Sequence, residues 1–195
     1  MEKLNGKKKV SVAVFISGRG TNLRSLIKFS KIKSSKIKIV LVVSNNKKAK
    51  GMYFAKKNKI KLLLVNYKFK INAENKILIN LKKNNINLIC LAGFMKILSK
   101  KIVKSYKNRI LNIHPSLLPK YKGLNTHIRV LKNKEKFTGC TVHLVNTKLD
   151  SGKIIMQKKV KVLKKDNEKS LSKRVLRTEN LIYPKAVKKF VFSIL

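Results

Sequence analysis

Lys8-Lys9-Val10-Ser11-Val12-Ala13-Val14-Phe15-Ile16-Ser17-Gly18-Arg19-Gly20-Thr21-Asn22-Leu23 is the stretch that decides the fold. From Lys8 to Ser17 it is nearly continuous apolar sequence, the pattern of a parallel strand buried on both faces. Gly18-Arg19-Gly20 then permits a tight turn, and a helix is expected from Thr21 to Lys31 with Leu23, Leu26 and Ile27 on its apolar face. The alternation continues outward. Ile37 to Ser44, Lys61 to Val65 and Asn87 to Ala92 read as strands, and Ala49 to Asn58 and Asn72 to Asn84 as helices. Strands that alternate with helices predict an α/β fold: a mostly parallel central sheet, right-handed crossovers and helices on both faces. Further on, Thr138 to Asn146 and Lys153 to Val162 read as an antiparallel strand pair near the C-terminal part. A helix from Thr126 to Asn133 precedes them. A last helix opens at Asp166-Asn167 and runs to Leu195 with a kink at Pro184.

The glycine turn between strand and helix frees backbone N–H groups to face an anion, and the helix N-terminus adds partial positive charge. The dinucleotide fingerprint is not met. Leu23 occupies the third glycine position, and no acid lies between Glu2 and Glu74. A single phosphate group fits better than a dinucleotide, against the plainer reading of a tight turn with no ligand.

A second stretch carries the chemistry: Ile110-Leu111-Asn112-Ile113-His114-Pro115-Ser116-Leu117-Leu118-Pro119, with Gly123 close behind. Asn112 and His114 flank Ile113 on an extended chain, so they share a face. Pro115 then ends the ladder. A carboxamide and an imidazole thus stand together at the carboxyl end of a strand, where open α/β sheets bind ligands. Asp150, in the turn Asp150-Ser151-Gly152 between the two late strands, could reach the same place. A carboxylate beside imidazole raises its pKa, and imidazolium beside Asn112 would suit a developing oxyanion. His143, between Val142 and Leu144, can face the same cleft, and His127 is a weaker candidate. The plain alternatives are a strand-end histidine bonded to a backbone carbonyl and an ordinary Asp-Ser-Gly turn.

The chain of 195 residues, 44% hydrophobic, can bury the core of one domain. No apolar run approaches the roughly 20 residues of a membrane span. Cys90 and Cys140 lie in apolar segments without metal spacing and are expected to be buried free thiols; no metal is expected. The net charge of +42 invites a nucleic-acid reading. Only six of the 49 basic residues are arginine, the side chain that best reads guanine and clamps phosphate. Lysine spreads over the whole chain with asparagine and isoleucine, all encoded by A/T-rich codons. Compositional drift explains that pattern, and no specific nucleic-acid partner is expected.

Four blocks together resemble one family. They are Ser17 to Leu23; Leu91-Ala92-Gly93-Phe94-Met95-Lys96-Ile97-Leu98; Asn112 to Pro119 with Gly123 and His127; and Asp150-Ser151-Gly152-Lys153-Ile154-Ile155-Met156-Gln157. In order and spacing they look like the phosphoribosylglycinamide formyltransferase family of folate-dependent one-carbon transferases. The resemblance implies a Rossmann-like formyltransferase domain over residues 1–195. Its halves would be a phosphate-binding one at about 8–98 and a catalytic and folate-binding one at about 99–195. The implied reaction moves a formyl group from 10-formyltetrahydrofolate to the amine of glycinamide ribonucleotide in purine biosynthesis. Asn112, His114 and Asp150 would be catalytic. Gly20, Thr21, Asn22 and Glu179 would hold the nucleotide. Lys70, Met95, Lys96, Ile97, Leu98 and Asn112 would hold the formyl folate, a co-substrate and not a resident cofactor. Lys70 and Lys96 stand where arginine is common in the family, so a planar fork becomes a point charge. The resemblance further implies a cytoplasmic monomer or homodimer acting on small molecules, without a membrane partner. Competing readings are methionyl-tRNA formyltransferase, formyltetrahydrofolate deformylase, or a basic nucleic-acid-binding protein on an inherited enzyme fold.

Overall fold

A computed structural model describes residues 9–194; the expected strand start at Lys8 and helix end at Leu195 lie outside them. Seven strands form one sheet in the order β3-β2-β1-β4-β5-β6-β7. They are β1 Val10–Ile16, β2 Ile37–Ser44, β3 Lys61–Leu64, β4 Leu88–Leu91, β5 Ile110–His114, β6 Phe137–Leu144 and β7 Ile154–Lys161. The first five run parallel, and β6 and β7 pair antiparallel beyond β5, as the sequence predicted. The chain leaves β1 to one side for β2 and β3, then returns to its other side for β4. Strand order therefore reverses at β1, and the crevice beyond the carboxyl ends of β1 and β4 is a switch point for ligands.

The β1 sequence shows why both faces of the sheet are covered. Val12, Val14 and Ile16 point to one side with α1 (Thr21–Ser30), α2 (Met52–Lys57), α5 (Thr126–Lys132) and α6 (Glu168–Phe192). Ala13 and Phe15 point to the other, where α3 (Lys70–Lys83) and α4 (Lys100–Ser105) pack. Alternation along a strand thus feeds two cores at once. The cysteines fit this picture as buried free thiols, and burial pushes Cys90 up to about 12.

Two elements differ from expectation, α2 and α4, and α6 opens where it was expected. α2 begins at Met52, because Asn46 accepts from the Lys48 N–H and holds the preceding residues in a turn. α4 was not anticipated: six residues are too few to display a helical period, and its start depends on Ser99, whose hydroxyl caps the Ile102 N–H. α6 opens with a capping box between Asn167 and Ser170 and continues through Pro184 without ending there. Its Tyr183 is fully buried, and the hydroxyl sits 3.0 Å from the Leu91 carbonyl and 3.1 Å from that of Leu111, bracing β4 against β5 directly behind the switch point. Among the described residues, no helix is long and apolar enough to cross a membrane.

Candidate active site at the strand carboxyl ends

β1 ends in the turn Gly18-Arg19-Gly20, and α1 starts immediately after it. Gly20 adopts φ +73°, and a Cβ there would lie 2.4 Å from the Cα of Gly51. Only glycine meets both demands, so the turn is fixed by contact with the residue that precedes α2. The first-turn N–H groups of α1 point into the crevice end of the sheet, with no side-chain cap bonded to them. Thr21 and Asn22 lie in that turn. The Asn22 side chain does not: it is buried, and its Nδ2 donates to Glu179 Oε2 at 2.7 Å. Asn22 therefore leaves only its backbone N–H in the first turn of α1 toward the crevice, while its amide holds Glu179. Burial pushes the Glu179 carboxyl up to about 7, against the Asn22 hydrogen bond that lowers it. The buried Asn22 Oδ1 has no partner among the described residues.

Asn112 and His114 share the inner face of β5, as alternation predicted. The antiparallel register sets His143 of β6 opposite Asn112, with Asn112 Nδ2 and His143 Nε2 3.2 Å apart. His143 Nδ1 lies 2.8 Å from the Leu144 carbonyl, and Nε2 faces both the Asn112 carboxamide and the loop that carries Asp150. One Nδ2 hydrogen of Asn112 is directed at His143, and Nδ2 has no other hydrogen-bond partner among the described residues.

Asp150 arrives from the loop between β6 and β7. Its Oδ2 is 3.3 Å from His114 Nδ1, and its Oδ1 is 3.5 Å from His143 Nε2. The Gly123 N–H donates to Oδ2 at 2.9 Å. Burial raises the Asp150 pKa, but His143, the Gly123 N–H and the nearby His114 outweigh it and hold the carboxyl below its ordinary value. The loop is pinned at Gly152, where a Cβ would lie 1.8 Å from the Leu144 carbonyl oxygen. Asn112, His114 and Asp150 thus converge, and His143 completes a four-residue cluster.

His114 corrects one expectation. Asp150 does raise its pKa, as does the Tyr121 carbonyl 2.9 Å from Nε2, but burial is the larger effect and the net direction is down. The free protein does not hold His114 charged through Asp150 alone. Each neutral tautomer nevertheless leaves one nitrogen lone pair facing an oxygen acceptor, so a proton added to His114 finds both partners already placed. Tyr121 was not singled out in the sequence. It sits at φ +58°, its hydroxyl donates to Glu135 at 2.8 Å, and Arg129 stacks 5.3 Å from its ring. His127 stays off this cluster, and its buried Nδ1 has no partner among the described residues.

The segment after β4 is tied down at both ends. The Met95 N–H donates to Ser17 Oγ at 2.8 Å, and the Ser99 N–H donates to the buried carboxylate of Glu74 at 2.9 Å. Phe94 packs edge-on against Phe15 and Tyr67. Met95, Lys96 and Ile97 are left exposed at the crevice, Met95 at 66% and Ile97 at 69%. Leu98, expected with them, is buried in the core beneath, so its side chain backs this wall and does not surface it. Lys70 is exposed at the start of α3. Among the described residues, no group of histidine, cysteine and carboxylate side chains is arranged to hold a metal ion.

Comparison with known proteins places this geometry. The formyl transferase family pattern matches residues 10–187. A phosphoribosylglycinamide formyltransferase of Haemophilus influenzae is 39% identical over 182 residues, covering 92% of this chain and 86% of that protein. The human trifunctional purine biosynthetic protein adenosine-3 is 41% identical over 184 residues; the match takes in 93% of this chain but spans only 18% of the human protein's length. A crystal structure of phosphoribosylglycinamide formyltransferase from Brucella melitensis superposes with a TM-score of 0.89 at 41% identity, covering 94% of this chain and 96% of that one. A match from the first strand into the last helix, at such identity and with the same fold, leaves one conclusion: this chain belongs to the formyl transferase family.

Proposed function

We propose that this protein transfers a formyl group from 10-formyltetrahydrofolate to the amine of glycinamide ribonucleotide, the formylation step of purine synthesis. The observation that carries the reading is the convergence of Asn112, His114 and Asp150 at the carboxyl end of β5, with Asp150 3.3 Å from the imidazole. The glycine turn and the first turn of α1 would receive the nucleotide phosphate, with Glu179 behind them. The Met95–Leu98 segment and Lys70 would receive the folate, consumed as a co-substrate.

The neutral amine attacks the formyl carbon. A bond forms from the amine nitrogen to that carbon, and the formyl oxygen becomes an oxyanion. The free Nδ2 hydrogen of Asn112 stabilises it. Negative charge developing beside His114 raises the affinity of the ring for a proton and opposes the effect of burial. Imidazolium is thus favoured as the barrier is crossed, with Asp150 and the Tyr121 carbonyl as its waiting acceptors. The bond from carbon to the folate nitrogen then breaks. The proton lost by the amine passes to that nitrogen, with Asp150 as the relay through water. On this reading the enzyme works in the cytoplasm on two small substrates.

The test follows folate absorbance with and without the ribonucleotide. Turnover that requires the nucleotide supports the reading, whereas folate loss without it would make the protein a deformylase. His114→Ala should reduce turnover by about 10²–10³ while the fold survives, and a variant with near-full turnover would refute the assignment.

A further inference from the structure

Ser17 closes β1 and leads directly into Gly18-Arg19-Gly20, the turn assigned to the nucleotide phosphate. It is buried, and its backbone and hydroxyl bonds divide between two neighbouring loops. Toward the loop after β4, its N–H donates to the Gly93 carbonyl at 3.1 Å and its Oγ accepts from the Met95 N–H at 2.8 Å. Toward the loop after β2, its carbonyl accepts from Asn46 Nδ2 at 3.0 Å and its Oγ donates to Asn45 Oδ1. The next residue continues the pattern, with the Gly18 carbonyl accepting from the Gly51 N–H at 2.9 Å. A hydroxyl carries a single hydrogen. With that hydrogen aimed at Asn45, Oγ meets Met95 only as an acceptor, so Asn45 sets the orientation that holds the start of the folate wall.

We infer that Ser17 is a positioning residue that couples the two substrate sites: nucleotide in the phosphate turn orders the wall for the folate, and folate on the wall orders the turn. The inference rests on the reading that the turn takes the nucleotide phosphate and Met95–Leu98 the folate. An anion held by the first-turn N–H groups of α1 restrains the backbone from Gly18 to Gly20. Ser17 passes that restraint to Gly93 and Met95, because both bonds to the wall leave from this one residue. A folate that arrives afterwards then loses less freedom in ordering the wall. Linkage makes the effect reciprocal. The tie at the other end of the wall is of a different kind. Glu74 bonds to the Ser99 N–H and the Tyr67 hydroxyl, not to the phosphate turn, so it serves the folate alone.

Tetrahydrofolate and glycinamide ribonucleotide make a pair that cannot react, because neither carries a formyl group, so their binding can be measured at equilibrium. The Kd of tetrahydrofolate should be about 5- to 10-fold lower with saturating ribonucleotide than without it. Ribonucleotide alone should also slow amide hydrogen exchange in the segment from Gly93 to Ile97. Ser17→Ala should bring the ratio of Kd values to within about twofold of unity and cancel the slowing. Asn45→Ala keeps the hydroxyl but frees its hydrogen, and should lower the ratio as well. Glu74→Ala should weaken tetrahydrofolate alike with and without ribonucleotide and leave the ratio at the parent value. A ratio of unity in the parent would overturn the coupling alone. A parent ratio retained in Ser17→Ala, or in Asn45→Ala where the first variant does not fold, would overturn it too. Loss of the ratio in Glu74→Ala would remove the special role of Ser17, since any loosening of the wall would then act in the same way. Failure of the parent to bind either ligand saturably would overturn the substrate reading and the coupling with it.

Discussion

Glu179 is a carboxyl that this fold holds at a cost, and the cost is measurable. Its side chain is 7% exposed, bonded to Asn22 Nδ2, and pushed by burial to about 7 from an ordinary 4.5. A carboxyl whose pKa is raised on folding binds more protons folded than unfolded between those two values. Folding stability is then fully present below the unfolded value, declines as pH rises between the two, and is lost once pH passes the folded value. At 1.36 kcal/mol per pH unit the gap corresponds to about 3 kcal/mol as an upper limit. Glu179→Gln keeps an oxygen to accept from Asn22 and removes the charge. Urea unfolding of the two proteins should therefore agree near pH 4.5 and diverge steadily to about pH 7.5, where the glutamine variant should be more stable by roughly 2–3 kcal/mol. The same variant should bind the ribonucleotide less tightly if Glu179 contacts that ligand as proposed. Parallel stability curves from pH 4.5 to 8 would refute the reasoning, because they would mean that Glu179 titrates as if exposed.

Three other changes are informative. Asp150→Asn removes one of the influences that raise the His114 pKa; turnover should fall by about 10²-fold, and the decline of rate with rising pH should move to lower pH. A pH–rate profile of unchanged shape would separate the two residues. Gly152→Ala puts a carbon on the Leu144 carbonyl and should cost roughly 2–4 kcal/mol in thermal unfolding, with turnover lost because Asp150 is displaced; an unshifted melting temperature would show that the loop has room. Glu74→Ala strips the partner from the Ser99 N–H and should cost about 1–3 kcal/mol and raise the KM for formyl folate but not that for the nucleotide. Glu74→Gln should restore both, and equal behaviour of the two variants would argue that the carboxylate does not hold the wall.

What could be read from sequence was whatever local pattern decides. Val10 to Leu23 announced strand, turn and helix, and Asn112-Ile113-His114 announced a shared face. Those inferences need only the two-residue period of a strand and the habits of glycine and proline. The short helix α4 escaped notice for a local reason, but the misses at the site involve distance along the chain. Even His143, expected at the cleft, takes its place opposite Asn112 only because β6 runs antiparallel to β5 in one register, and a shift by a single residue would turn it away. Glu74 reaches 25 positions to Ser99, and Asn22 reaches 157 to Glu179. The net direction for His114 was misjudged because the attraction of Asp150 is visible as a residue type, whereas burial belongs to the folded whole.

Asp150 occupies φ +44°, a backbone region in which asparagine and glycine are at ease and aspartate is held at some cost. A single G-to-A change in its codon produces asparagine. In a genome that drifts toward A and T, that change is among the easiest to make. The resulting protein would gain backbone ease and lose the carboxylate's attraction to His114 and the Gly123 N–H, two opposing effects on stability, so it would stay folded while losing most of its chemistry. Inactivating lesions at this position should therefore escape every form of quality control that inspects folding. In a population they would accumulate as full-length, abundant and silent enzyme, visible only to selection on the product.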